Sequence, residues 1–208
     1  MVKKVEIFLK FADLIEENTN DIIEICAKES GKSIKNSIAE IREAVDFCRY
    51  YSKEALNLFQ TQTLKGPTGE LNQYRMIGKG LSFVISPWNF PVAIFVGQTV
   101  AALITGNVVI TKPAEQSSFA AYYIIKLLLK AGLPSNAIAL LLGDGALIGK
   151  KVINDKKLKN IISVIGESGK FTTLFSLKSF IIFSEFNAIK VNEEIKNRTI
   201  DILIITRK

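Results

Sequence analysis

From the first turn onward, apolar residues follow helical spacing: Val5, Phe8, Leu9, Ala12 and Ile15 fall on one face of a predicted amino-terminal helix. Asn18-Thr19-Asn20-Asp21 then interrupts the run with side chains suited to capping helix ends. A short second helix through Ile22, Ile23 and Cys26 is expected to stop near Gly31. From Ser33 onward, Ile34, Ile38, Ile41, Val45, Cys48 and Ala55 draw one apolar stripe along a long third helix. Residues 1–60 therefore read as a helical layer.

The pattern changes at Gln60. Up to Gly80 the chain is polar and glycine-bearing, which predicts a crossing segment with turns at Gly66-Pro67 and Gly69. Beyond it, short apolar runs alternate with helical ones: strands at 81–86, 108–111, 139–142 and 161–165, and helices at 91–104, 118–131 and 146–154. Pro91 suits a first helical turn, and Gly106-Asn107 and Gly132 sit where helices stop. Strands separated by helices imply right-handed crossovers and a parallel sheet covered on both faces. The expected fold is α/β, a Rossmann-like parallel sheet with helices on both faces, preceded by the helical layer. The expected division is residues 1–165, with an α/β core at 81–165, and a divergent tail at 166–208.

Composition narrows the chemistry. Of 208 residues, 48% are hydrophobic and 23% charged, and no apolar run reaches the roughly 18 residues of a membrane span. Acidic residues from Glu6 onward break up the amino terminus, which lacks a secretory pattern, so a cytoplasmic location is expected. Histidine is absent, so a Ser-His-Asp hydrolase or a His-metal site cannot be built from these residues. Cys26 and Cys48 have no metal-ligand spacing and lie on apolar faces, as small core residues do. The net charge is +7, with 9 basic and 11 acidic side chains in residues 1–60, 6 and 2 in 61–140, and 12 and 7 in 141–208. Lysines 150, 151, 156, 157 and 159 are the densest cluster and read as a solvated helix end, so no nucleic-acid partner is expected.

An open α/β sheet binds ligands beyond the carboxyl ends of its strands. Two polar turns fall there. In "SPWNFP" (86–91), Pro87 and Pro91 brace Asn89. A rigid carboxamide suits a developing oxyanion, although an ordinary strand-to-helix turn accounts for the same residues. In "TKPAEQ" (111–116), Lys112 and Glu115 flank Pro113, as a ribose-binding pair or a surface ion pair would. The carboxylate would repel a 2′-phosphate, which would favour NAD. "GDGALIG", with Gly143, Gly145 and Gly149, reads equally as a dinucleotide loop or as a tight strand-to-helix turn.

Taken together, "SPWNFP", "GQTVAALITGNVVITKPAEQS", "AGLP" and "LLGDGALIG" resemble the aldehyde dehydrogenase superfamily over residues 5–160. "EIREAVDFCRYY" and "GPTGELN" look most like the glutamate-semialdehyde (1-pyrroline-5-carboxylate) dehydrogenase part of bifunctional bacterial proline-utilisation proteins. The resemblance implies that Asn89 is an oxyanion donor and that Lys112 and Glu115 hold the adenosine ribose of NAD. It also implies that Ser86, Pro87 and Trp88 line the cofactor cleft and that the Gly143–Gly145 turn approaches the adenine end. In such enzymes a cysteine thiolate attacks the aldehyde, the thiohemiacetal passes hydride to NAD, and a glutamate-activated water releases the acid.

The chain departs from that family after residue 160. "IISVIGESGK" (161–170) stands where the family has a Phe-Thr-Gly-Ser turn, with Gly166 and Ser168 out of step, and residues from 171 onward match no family pattern. The Glu-Leu-Gly-Gly segment with the general base and the domain with the catalytic cysteine are not in the 208 residues, and neither Cys26 nor Cys48 can be carried over as the nucleophile. The expectation is a cofactor-domain fragment, inactive alone, which would need a complementary carboxy-terminal chain. The alternative is a non-catalytic nucleotide-binding or interaction remnant. The hairpin and tail through which family members associate are not visible in the pattern.

Overall fold

The computed structural model describes residues 1–167, 170–175 and 204–207. Three helices open the chain: α1 (Val2–Glu17), α2 (Thr19–Ser30) and α3 (Ile34–Leu58). The α1–α2 junction uses its polar residues differently from the expected N-cap. Asn18 Nδ2 donates to the Leu14 carbonyl at 2.7 Å and Thr19 Oγ1 to that of Glu16 at 2.7 Å, so both satisfy the end of α1 instead of the start of α2. The apolar stripes need correction too. In α1, Phe11 and Leu14 are buried while Leu9 is exposed, and in α3 the expected Ile34 and Ile38 are exposed. Ser37 and Glu40 occupy buried positions on α3 alongside Ile41, Ala44, Val45, Cys48 and Tyr51.

The polar segment 60–80 contains a hairpin that the sequence pattern does not reveal. Strands β1 (Gln62–Leu64) and β2 (Leu71–Tyr74) pair antiparallel, Gln62 opposite Tyr74, and β8 (Ile204–Arg207) adds to the far side of β2. These strands are short and largely polar, so they lack the alternation that marks a half-buried strand.

The main sheet follows: β3 (Leu81–Ser86), α4 (Ala93–Ile104), β4 (Val108–Pro113), α5 (Ser118–Ala131), β5 (Ile138–Leu140), α6 (Gly145–Ile153), β6 (Leu158–Glu167) and β7 (Lys170–Phe175). The strand order is β5-β4-β3-β6-β7, parallel except for β7, which returns antiparallel along β6. The chain steps from β3 to β4 to β5 in one direction and then crosses back to β6 on the other side of β3. Right-handed crossovers therefore put α4 and α5 on one face and α6 on the other. The strand order reverses between β3 and β6, so the crevice beyond their carboxyl ends is the switch point of the sheet.

Most of the core lies on the α4–α5 side. Val84, Val109 and Ile162 from the sheet join Phe95, Val96 and Val100 of α4, Ile124 and Leu128 of α5, and Phe8, Ile15, Val45 and Cys48 from the first three helices. The amino-terminal helices thus cover α4 and α5 as an outer layer. Burying each large side chain contributes about 1.5–3 kcal/mol, and Phe8, Phe11, Phe95 and Tyr51 are almost wholly enclosed. Helix α6 buries none of its residues, and lysines 150, 151, 156, 157 and 159 are exposed as expected. In the expected tail at 166–208, residues 168–169, 176–203 and 208, Ser168 included, lie outside the described residues.

Candidate functional site

Two turns leave the sheet side by side at the switch-point edge. In the β3–β4 ladder Ser86 lies opposite Pro113, and the Ala114 N–H donates to the Ser86 carbonyl at 3.0 Å. Adjacent strands are about 4.8 Å apart, so the Pro87–Pro91 turn and the Lys112–Glu115 turn begin as immediate neighbours. Ser86 is buried and its Oγ has no hydrogen-bond partner among the described residues. Pro87 is half-buried, whereas Trp88 and Asn89 are exposed on the edge.

Lys112 shares the α6-facing side of the sheet with Ile85, its register partner. Its side chain is buried, and the ammonium donates to Glu115 Oε1 at 2.9 Å and to the Pro113 carbonyl at 3.1 Å. Glu115 itself is half exposed. The hydrogen bond from Lys112 is the main cause that holds its carboxyl below the usual range, and the Gly145 N–H adds to this. Gly145 opens α6, and Asp144 caps that helix by accepting the Leu147 N–H at 2.7 Å. A Cβ at Gly145 would stand 3.2 Å from Lys112 Nζ and 3.4 Å from Glu115 Oε1, so a residue without a side chain lets the helix start close over the pair. Gly143 has φ +131°, a conformation natural to glycine, and supplies the turn before it.

The sequence-predicted residues therefore share the carboxyl edge of the sheet: Ser86 at the end of β3 with Pro87, Trp88 and Asn89 in the turn after it, Lys112 in β4 with Glu115 just beyond, Gly143 before α6 and Gly145 at its start. This arrangement presents an accessible carboxylate flanked by an ammonium and by the amide end of a helix. Such a carboxylate can accept hydrogen bonds from vicinal hydroxyls. The half-exposed Glu115 carboxylate, with the Lys112 ammonium beside it, suits the paired hydroxyls of a nucleotide ribose.

Sequence reasoning missed the groups that hold the first turn. Glu40 of α3 is buried, and its Oε2 accepts the N–H groups of Val92 at 2.8 Å and Ala93 at 3.3 Å. It thereby caps α4, whose N-cap residue, Val92, has no side-chain oxygen. Lys32, in the link between α2 and α3, pairs with Glu40 Oε1, donates to the Asn89 carbonyl at 2.8 Å and lies 4.4 Å from the centre of the Phe90 ring. Burial pulls the Lys32 pKa down, yet the carboxylate and carbonyl beside it satisfy its protons. Losing one partner of a buried pair costs about 3–5 kcal/mol, so the two charges depend on each other. A signal existed in the sequence: a glutamate sits at a helical position flanked by Ile41 and Ala44.

Cys26 and Cys48 are free and wholly buried. Burial pushes the Cys26 thiol up to about 11 and the Cys48 thiol higher, so both are protonated at neutral pH. Among the described residues, no group of three or more His, Cys, Asp or Glu is placed to hold a metal ion. No described helix is long and apolar enough to cross a membrane.

The sequence pattern of the aldehyde dehydrogenase family matches residues 1–170. The chain is 35% identical over 158 residues to 1-pyrroline-5-carboxylate dehydrogenase of Anoxybacillus flavithermus, covering 76% of this chain and 31% of that protein. It superposes with a TM-score of 0.74 and 40% identity on a variant of proline utilization A from Bradyrhizobium japonicum, covering 76% of this chain and 16% of that one. For NADP-dependent glyceraldehyde-3-phosphate dehydrogenase from Bacillus halodurans, complexed with NADP, the TM-score is 0.71 at 32% identity, covering 76% and 34% of the two chains. The chain thus spans about a third or less of the relatives it matches. Its helical layer, its doubly wound sheet and the family pattern across residues 1–170 all agree that this chain belongs to the aldehyde dehydrogenase family.

Proposed function

We propose that this chain supplies the cofactor-binding side of a dehydrogenase that oxidises glutamate 5-semialdehyde, the open form of 1-pyrroline-5-carboxylate, with NAD. One observation carries the reading: the Lys112–Glu115–Gly145 cluster and the turn bearing Asn89 stand together at the switch-point edge. NAD supplies the hydride acceptor. Glu115, held ionised by Lys112, accepts the hydroxyls of the adenosine ribose, and its charge opposes a 2′-phosphate. Ser86, Pro87 and Trp88 line the neighbouring wall, and the Gly143–Gly145 turn lies toward the adenine. The Asn89 carboxamide donates to the oxygen of the aldehyde as negative charge gathers there.

The two thiols of these 208 residues are buried and protonated, so the nucleophile must come from elsewhere in the working enzyme. A second reading follows from that observation: taken alone, these residues bind the nucleotide without turning over the aldehyde. The free thiols suit a reducing compartment such as the cytoplasm. Mixing the purified chain with the carboxy-terminal part of a related dehydrogenase, then adding the semialdehyde and NAD, tests the first reading. NADH should form in the mixture and in neither part alone; no NADH at any ratio leaves the binding role only.

A further inference from the structure

The turn that carries Asn89 is held from outside the sheet. Its carbonyl is tied to Lys32, the ring of Phe90 lies against the same ammonium, and the amides that follow at Val92 and Ala93 end on Glu40. Lys32 and Glu40 are themselves paired, and both side chains are almost enclosed, at 12% and 1% exposure. One ion pair therefore grips the turn at both ends, before and after Pro91. The sheet alone fixes only the start of the turn, through the Ala114 N–H on the Ser86 carbonyl. Beyond Ser86 the place from which the Asn89 side chain departs is set at its own carbonyl, because the peptide plane held there by Lys32 includes the Asn89 Cα.

We propose that Lys32 and Glu40 are positioning residues for Asn89, through which the amino-terminal helices set the direction of the oxyanion-binding carboxamide. The inference rests on the reading of Asn89 as that donor. Neither side chain touches the reacting atoms; they act through the backbone of the turn. The glutamate serves two functions here, since its negative charge also faces the positive end of α4. Changing either partner should release the turn while leaving the sheet and the Lys112–Glu115 cluster in place.

Trp88 is the only tryptophan of the chain, half exposed beside Asn89, and so reports on the turn directly. The test uses the 208-residue chain with Lys32→Met, Glu40→Gln and Lys32→Arg. Lys32→Met should shift Trp88 emission, move the Asn89 carboxamide resonances and speed hydrogen exchange at the Val92 amide about tenfold. Far-UV circular dichroism should be unchanged and Lys32→Arg should restore the wild-type signals. Should Lys32→Met not fold, Glu40→Gln, which keeps an oxygen for the Val92 N–H and loses the charge that holds Lys32, is expected to show the same shifts. A folded variant with wild-type emission, carboxamide resonances and Val92 exchange overturns the proposal. NAD affinity, measured on the same samples, should fall less with Lys32→Met than with Glu115→Ala, because the Lys112–Glu115 pair stays in place. An unaltered chain that does not bind NAD would instead count against the cofactor reading, with the Trp88 result still interpretable.

Discussion

Cys26 and Cys48 are the residues whose chemistry their surroundings most nearly abolish. A thiol reacts as its thiolate, and desolvation penalises that form. Because the Cys26 pKa is raised to about 11, its thiolate gains population only as the pH climbs toward that value; Cys48 lies higher still. At neutral pH the folded chain should therefore resist iodoacetamide, while both cysteines should label in denaturant; rapid alkylation of either in the native state would contradict the burial described here. Asn89, Lys112 and Glu115 were legible because each belongs to a short turn whose prolines and strand end are adjacent in sequence. Lys32 and Glu40 were not, since their partners lie 57 and 52 residues away and only the folded chain brings them together. The spacing of charges within one helix carries no information about a partner on another.

At the scale of elements, α4 meets α3 closely at Gly97. A Cβ there would come within 2.8–3.2 Å of three atoms of the Phe47 ring on α3, a side chain already stacked on Tyr51. Gly97→Ala should therefore destabilise the chain by about 1–3 kcal/mol through overpacking, despite alanine's better helix propensity. Thermal unfolding measures this directly, and an unchanged or raised midpoint would show that the α3–α4 contact is looser than described. The strands and helices of the sheet were readable from their punctuation: Gly132 ends α5 and Pro91 leads into α4. The exposed positions of α3 were not. Spacing sets the angle of Ile34 and Ile38 around the helix, but it does not show whether another element lies over them. The hairpin of β1 and β2 escaped for a related reason, because its short polar strands bury too little to impose alternation.

For the molecule as a whole, topology makes the site. The reversal of strand order beside β3 opens one edge, and four otherwise separate pieces of chain converge there or support it: the Asn89 turn, the Lys112–Glu115 turn, the start of α6, and the Lys32–Glu40 pair from the helical layer. The parallel order was implied by alternating strands and helices, whereas the antiparallel β7 and the pairing of β8 with β2 were not, since residues beyond 170 follow no recognisable pattern. The central claim is that this edge binds a dinucleotide through Glu115. Calorimetric titration of NAD into the unaltered chain and into Glu115→Ala tests it most directly. Loss of a charged acceptor of ribose hydroxyls should weaken binding about tenfold or more, with NADP binding less tightly than NAD to the unaltered chain. Equal NAD affinity for the two proteins, or no heat of binding in either, would contradict the account.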